Sequence, residues 1–560
     1  MVEDPKHTNV FDHERQAAVE RRVARLGEDG RLLPGTGGGV HHASLAEKLL
    51  VPALSKLSNF AAGGGIWMNT QRPEWNDANN ALVGNGVSMV TLFYLRDYLV
   101  FLEGLFERAE AGQVPVATRV LAWLEGVEDA FAAHRELLDG PSMGPAARRS
   151  LLDALGEAFS EYRAAAYEHG PGDAVPVPIG RLRAFVTAVR PFLDHTAATA
   201  RRPDGLVESY LLMRLEPGMA RLEPLQEMLE GQVAALATGA VRGDEAVRLI
   251  DALFRSDLYR ADQHAFVLYP NRSPPPFLEK NAVPGEALGP AASRLLDDPA
   301  RILERDAGGV VRFSARFRSA EPLAAELADL GLTEADRGEV LALYERVFRH
   351  AAFTGRSGTM YRYEGLGSVY WHMVSKLLLA VQAQALAAAD PAAVTVFADR
   401  YRRIRAGLGF AKTPAEQGTF PTDPHSHTPA HTGAQQPGMT GQVKEGVLLR
   451  WGELGVRVAG GRVGFRPVLL DPAEFLTEPI PWDLLGPDGV LEAGSLGFTY
   501  CGVPVVYRLV DGDPRVSIRW ADGRETTGGA DLGAAESRLL FARTGEIARI
   551  DVEVDRSALQ

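Results

Sequence analysis

The sequence predicts a mainly α protein, a helical body followed by a smaller β domain, and three observations carry that expectation. Between Val87 and about Phe254, long segments repeat apolar residues at intervals of three and four, the period of an amphipathic helix. Short Gly- and Pro-rich links such as GPSMGP and HGPGDAVPVP separate them, which favours consecutive antiparallel helices. After Val456 the helical period gives way to short apolar runs divided by Gly, Asp and Pro turns, the pattern of strands. The expected domains are therefore residues 1–455, helical, and residues 456–560, β.

In chain order, DHERQAAVERRVARLG over residues 12–27 predicts an exposed helix ending at a Gly. The loop RLLPGTGGGVHH is glycine-rich but lacks the trailing Gly-Lys-Ser/Thr of a phosphate-binding loop. Ser44, with Glu47 three residues on, predicts a capped helix through about residue 60. The helical segments then run VSMVTLFYLRDYLVFLEGLFERAEA, VATRVLAWLEGVEDAFAAHREL, AARRSLLDALGEAFSEYRAAAYEH and IGRLRAFVTAVRPFLDHTAATA. GGVVRFSARF predicts a short strand, Thr333 a helix cap, and SVYWHMVSKLLLAVQAQALAAAD another long helix. The stretch KTPAEQGTFPTDPHSHTPAHTGAQQPGMTGQ has almost no aliphatic residues and is too long for a mere connector. VKEGVLLRWGELG predicts a helix. VRVAGGRVGFRPVLL, SLGFTYCGVPVVYRLV, RVSIRWADG, ESRLLFARTG and ARIDVEVD predict the strands of the β domain.

The formal net charge of −13 argues against a nucleic-acid or anionic-membrane surface. The N-terminus lacks a basic-then-apolar signal pattern, and no apolar run approaches the ~20 residues that span a bilayer. The expected location is cytoplasmic, with no membrane and no nucleic-acid partner. The lone cysteine, Cys501, rules out an intrachain disulfide and reads as a core residue of a strand.

One stretch concentrates polar chemistry. Gln71 to Gly86, QRPEWNDANNALVGNG, holds a Trp, two carboxylates, an Arg, a Gln and four Asn. An indole stacks on the apolar face of a sugar ring, amides and carboxylates take its hydroxyls, and one carboxylic acid can protonate a leaving oxygen. Asp77 is the expected acid. Gln71, Arg72, Glu74, Trp75, Asn76 and Asn80 are the expected substrate contacts. The bland alternative makes Glu74 and Asp77 simple helix N-terminal acids after Pro73.

The segment Glu74-Trp75-Asn76-Asp77-Ala78-Asn79-Asn80 resembles the D-W-N-D-G-M-N motif of the inverting glycoside phosphorylases of the cellobiose phosphorylase type, glycoside hydrolase family 94. The resemblance implies an (α/α)6-barrel-like helical toroid followed by a C-terminal β-sandwich-like domain, with Asp77 as general acid and Trp75 lining the sugar site. It implies a phosphate site at Thr440-Gly441, with His425, His427 or His431 nearby, and weaker sugar contacts from Lys412 and Glu416. Family members carry more chain ahead of the acid than the 76 residues here. An incomplete toroid, a second chain supplying the missing half, or a homo-oligomer is the corresponding expectation.

The implied reaction is inverting phosphorolysis of a β-linked oligosaccharide to a sugar 1-phosphate. Its partners are the oligosaccharide and inorganic phosphate as co-substrate, with no cofactor and no metal. An inverting hydrolase is the alternative, needing a second carboxylate about 6.5–9.5 Å from the acid; Glu364 is the base expected for it. A non-catalytic carbohydrate-binding or assembly subunit is the rival from another class. Asp77 must hold a raised pKa to act near neutrality, and burial beside Trp75 with the like charge of Glu74 would raise it.

Three further clusters remain. Asp423, His425, His427 and His431 have a D-x-H-x-H-x3-H spacing that can furnish metal ligands, but a phosphate or sugar-hydroxyl role beside Thr440 and the Gly441 N–H suits a Pro-rich loop better. Gln435 and Gln436 can reach the same ligand, and structural hydrogen bonding is the alternative. GRSGTMYRYEGLGSVYWHMVSK places Arg356, Tyr363 and Glu364 at a glycine-rich helix entrance, with Tyr370, Trp371 and His372 following. Arg356 and Tyr363 are expected substrate contacts; Tyr370 and Trp371 read as helix-packing aromatics. Asp262, Gln263 and His264 form the last cluster.

Overall fold

The computed structural model describes residues 5, 8, 11–35, 39–71, 82–140, 143–271, 275–296, 298–352, 367–408, 412–417, 425–429, 435–437 and 442–559, with backbone alone for 417, 425–429, 435–437 and 442. The chain divides into two compact units, Met1–Ala240 with Val267–Ser368, and Val241–Phe266 with Val369–Gln560. Helices, one five-stranded sheet in each unit and several smaller sheets make up the described residues.

In the first unit the helix signals hold. His13–Leu26 starts where Asp12 accepts from the Arg15 N–H and stops at Gly27, with φ of 67°. Ser44 accepts from the Glu47 N–H at the head of Leu45–Leu57. Glu47 does not return the bond: its buried carboxylate instead accepts from the Ala117 N–H at 2.8 Å. The predicted long helices are Met89–Glu107, Thr118–Ala133, Pro145–His169 and Ile179–Thr199. Met89–Glu107 packs on Ile179–Thr199, and Thr118–Ala133 on Pro145–His169. In the second pair Trp123 stacks on Phe159 and Tyr162, at 5.0 and 4.3 Å between centroids.

The expectation of helix from Val87 to Phe254 fails most fully at one hairpin. Tyr210–Glu216 and Met219–Pro224 form a hairpin, closed at Pro217-Gly218, where Gly218 has φ of 69°. They join Phe60–Ala61, Gly65–Trp67 and Gly86–Ser88 in an antiparallel five-stranded sheet. The glycines of AAGGGIW are needed there. Gly65 has φ of 117°, and a Cβ on it would lie 2.5 Å from the Ser88 carbonyl oxygen of the neighbouring strand. HGPGDAVPVP is also more than a link, since Ala174–Pro178 pairs with Gln113–Ala117.

Arg148, in the first turn of Pro145–His169, is buried and binds main chain: Nε donates to the Ala62 carbonyl, Nη1 to Ala220 and Nη2 to Met143. Burial pulls its pKa below the usual arginine value. This one side chain ties the helix to both edges of the sheet's connections.

Residues 275–352 hold a separate apolar cluster around Ile302, Phe313, Leu323, Leu343 and Tyr344. Its strands Leu303–Arg305 and Val311–Phe313 pair antiparallel, and Thr333 caps Glu334–Phe348 by accepting from the Asp336 N–H.

In the second unit, Trp371–Ala387 packs between Pro391–Arg405 and Gln442–Glu453. Residues 368–370, predicted as helix, are instead strand. The buried Glu453 carboxylate accepts from Tyr401 at 2.8 Å, Arg405 Nε at 2.5 Å and Arg450 at 3.1 Å. The C-terminal sheet runs in the order Ser495–Tyr500, Val503–Val510, Ile547–Asp555, Arg515–Trp520, Glu525–Gly528, with the second and third strands parallel. Its core includes Val505, Tyr507, Ile550 and Val552.

Two strand expectations need correction. ESRLLFARTG is the helix Ala534–Ala542. It has no β-branched residue before the Thr, and only Ser537 and Leu540, three apart, turn inward. Cys501 is not a core strand residue: it is half-buried at a two-residue hairpin turn, with φ of 52° followed by 84° at Gly502. Positive φ at both positions is what a type I′ turn requires. Among the described residues no helix is long and apolar enough to cross a membrane.

Replacing Arg148 by Ala should lower the free energy of unfolding by about 3 kcal/mol, because three buried carbonyls lose their donor. Arg148→Lys, able to serve fewer of them, should fall between. Urea unfolding measures both, and a loss below about 1 kcal/mol for Ala would contradict the clamp.

Candidate active site

The two sequence stretches with the most chemistry lie in different units. Arg72, Glu74, Trp75, Asn76, Asp77 and Asn80 lie outside the described residues. Their flanks do not. Gln71 is exposed, and its N–H donates to the Pro5 carbonyl. On either side, the strands Gly65–Trp67 and Gly86–Ser88 pair antiparallel. Met68 and Gly86 exchange a main-chain bond of 2.9 Å, Met68 and Gly84 one of 2.7 Å, and the Trp67 indole donates to the Gly84 carbonyl at 3.0 Å. The segment that holds Asp77 therefore starts and ends at one side of the first unit's sheet, from anchors set by the main chain.

In the second unit the polar residues converge at the start of Trp371–Ala387. Arg356, Tyr363 and Glu364, just ahead of it, lie outside the described residues. Trp371 is 2% exposed and Lys412 is 7% exposed, with its ammonium 4.9 Å from the indole centroid. Burial is the main cause that brings Lys412 down to about 8, against the opposing pull of Glu416 and Asp262. Glu416 closes a local cap. It accepts from the Thr413 N–H and hydroxyl while Thr413 accepts from the Glu416 N–H. Those bonds, ahead of a smaller contribution from His264 and Lys412, hold its carboxyl below the usual range. Asp262, paired with Arg260, and His264, at φ of 45°, thus border the same group. The fourth sequence cluster and Lys412 belong together.

One residue along the helix, His372 bonds to the Tyr370 hydroxyl at 3.2 Å and to Glu445 at 3.3 Å. Burial, followed by Lys376, lowers the His372 pKa, and Glu445 opposes them. Glu445 lies in the first turn of Gln442–Glu453, directly after Thr440-Gly441, and Lys444 lies 3.7 Å from it. Sequence reasoning missed Glu445; its signal was the helix start behind the Thr-Gly pair.

The histidine loop meets this region through its backbone. His425–Pro429 and Gln435–Pro437 form one sheet with Ser368–Tyr370, His425 opposite Pro437 and His427 opposite Gln435. His425 and His427 thereby lie on the strand next to the one that leads into Trp371, and Gln435 and Gln436 one strand further out. Asp423, His431, Thr440 and Gly441 lie outside the described residues. Lys376, Lys444 and the N-terminus of Gln442–Glu453 bring positive charge to the side of His372, which Glu445 partly offsets.

Residues 274–351 match the family model described as GH149 phosphorylase insertion domain 2. That segment coincides with the separate apolar cluster of the first unit. No curated protein matches the chain. The match supports a relationship to glycoside phosphorylases and does not extend to the cellobiose phosphorylase type.

Lys412 gives a pH test. Below about pH 8 the folded and unfolded chains both hold its proton, and the burial penalty is present in full. Above it the folded chain releases the proton while the unfolded chain keeps it to about pH 10.4. The unfolded state then binds more protons, so stability rises with pH across that window. The wild type should gain stability relative to Lys412→Met between pH 8 and pH 10, measured by denaturant unfolding; parallel curves would refute the assignment.

Proposed function

We propose that the chain is a glycoside phosphorylase that cleaves a β-linked oligosaccharide with inversion and releases a sugar 1-phosphate. The observation that carries this reading is the insertion-domain match over residues 274–351, standing beside the Glu74-Trp75-Asn76-Asp77 segment. Under this reading the helices form a toroid-like catalytic body, and the strands after residue 455 a C-terminal domain.

The chemistry follows from the leaving group. A glycosidic oxygen departs only when protonated, and Asp77 supplies that proton. Trp75 carries the sugar ring on its face, while Gln71, Arg72, Glu74, Asn76 and Asn80 hold its hydroxyls. Arg356 and Tyr363 extend the substrate contacts. Phosphate attacks the anomeric carbon from the opposite face, so a second catalytic carboxylate is not needed. Thr440, the Gly441 N–H and a histidine of the 425–431 loop bind the phosphate, with Gln435 and Gln436 beside them. The lysines and His372 around Glu445 support an anion in that region. Lys412, buried against Trp371, is better suited to shaping the pocket than to grasping a sugar directly.

Incubation with a panel of β-linked gluco-disaccharides should release sugar 1-phosphate only when phosphate is present. Equal turnover without phosphate would replace this reading with hydrolysis. Asp77→Asn should cut turnover by about a thousandfold. Thr440→Ala should raise the KM for phosphate at least about tenfold and leave the KM for the sugar nearly unchanged, since it removes a contact to one substrate alone.

A further inference from the structure

The segment that matches the insertion domain contains a cleft that no step of this phosphorolysis uses. It encloses about 450 Å3, the size of a small-molecule site. Phe277 and the buried Phe313 supply apolar surface, and Leu278 stands exposed at its rim. Arg301, Arg305, Arg312 and Arg316 line it, against Glu304 and Asp306. Guanidinium groups thus outnumber carboxylates in a protein whose net charge is −13.

Both carboxylates are committed. Glu304 is gripped by Arg301 through two bonds, of 2.5 and 2.8 Å. Asp306 accepts from Arg312 and from the Gly308 and Val310 N–H groups, each at 2.9 Å. These bonds, led in each case by the arginine, hold both carboxyls below their usual range, so they stay ionised and locally paired.

Arg305 and Arg316 are treated differently. Arg305 donates to the Gly309 carbonyl at 2.9 Å, and Arg316 to the Ala300 carbonyl at 2.6 Å. A carbonyl fixes the direction of a guanidinium without cancelling its charge. Arg316 also lies 3.3 Å from Glu326, an exposed pair that contributes little. Among the described residues no ion pair involves Arg305. The frame is stiff as well. Arg305 and Arg312 sit on the paired strands Leu303–Arg305 and Val311–Phe313, and the Asn281 side chain brackets Phe313 with bonds to its carbonyl and its N–H.

We propose that this cleft binds a small sugar bearing an oxyanion, a phosphate or a carboxylate. The apolar surface takes a face of the ring, and Arg305 and Arg316 take the anion through charge-assisted bonds. The choice of a sugar rests on the glycoside phosphorylase reading; the choice of an anion rests on the arginines.

Isothermal titration of the full chain, at fixed ionic strength, tests it with glucose 1-phosphate, glucuronate, inorganic phosphate and glucose. At least one charged sugar should bind in this cleft, and which one does separates the phosphate source from the carboxylate source. Glucose should not bind there. The double variant Arg305→Gln/Arg316→Gln should weaken the charged sugar about tenfold, which is about 1.4 kcal/mol. Its turnover of oligosaccharide should match the wild type, and so should its melting temperature. Arg305→Gln alone, at an exposed position, should weaken binding about threefold and guards against misfolding of the double variant. Unchanged binding in both variants would overturn the proposal, because the active site would then account for all of it. Inorganic phosphate binding as tightly as glucose 1-phosphate would overturn the sugar. Absence of phosphorolysis with variant-sensitive binding intact would sink the functional reading and leave this site standing.

Discussion

A guanidinium kept out of water ties the helix Pro145–His169 to the connections of the first unit's sheet. Arg148 reaches carbonyls from three separate stretches, at Ala62, Met143 and Ala220. They lie after the strand Phe60–Ala61, ahead of the helix Pro145–His169 and within the strand Met219–Pro224, and each loses a donor without Arg148. A planar fork with five donors can satisfy several at once, and a lysine cannot. Once the connections of the sheet are held, the paired strands Gly65–Trp67 and Gly86–Ser88 keep their register. The glycine at 65 then admits the close approach of the neighbouring strand. The side chain lies far from both strands in sequence, yet it holds the helix against the sheet they belong to.

The second unit solves a similar problem with the opposite charge. Glu453 is buried at the end of Gln442–Glu453 and gathers Tyr401, Arg405 and Arg450. Breaking such a cluster by removing one partner is costly, because a buried charge is left behind. Gln382 adds a bond from Trp371–Ala387 to the Leu449 carbonyl at 2.8 Å. The far end of the helix is thereby fixed, and with it the first turn that carries Lys444 and Glu445 toward His372.

How much of this is written in the sequence depends on the range of the interaction. Local signals read well. Asp12, Ser44 and Thr333 cap the helices they precede, since a side chain three residues from an N–H needs no tertiary help. The four long helices follow from period alone. Long-range outcomes do not read. The Tyr210–Pro224 hairpin looks helical because YLLMRLE is apolar enough for either state, and only its strand neighbours decide. ESRLLFARTG shows the reverse, a short apolar run taken for a strand where helix formers outnumber strand formers. At the site, Lys412 and Asp262 are 150 residues apart by number, and no spacing rule joins them; burial against Trp371 does. Trp371 reads correctly as a packing aromatic, while its lysine partner was unforeseen.

The electrostatics of the second unit bear on the kind of ligand that region suits. Water needs a carboxylate left unengaged to take its proton, whereas phosphate arrives already charged and needs cations. Near Trp371 three described carboxylates have partners, although one oxygen of buried Glu445 has no hydrogen-bond partner among the described residues. Glu416 closes the Thr413 cap, Glu445 meets His372 and Lys444, and Asp262 pairs with Arg260. Bonds to its cap hold the Glu416 carboxyl below its usual range and make it a weaker base. The cations have the converse character. Burial first, then the field of Lys376 and Lys444, push His372 toward its neutral form, against Glu445. An incoming dianion would relieve that field, and a water molecule would not. The fixed charge around His372 therefore suits an anionic ligand better than a neutral one.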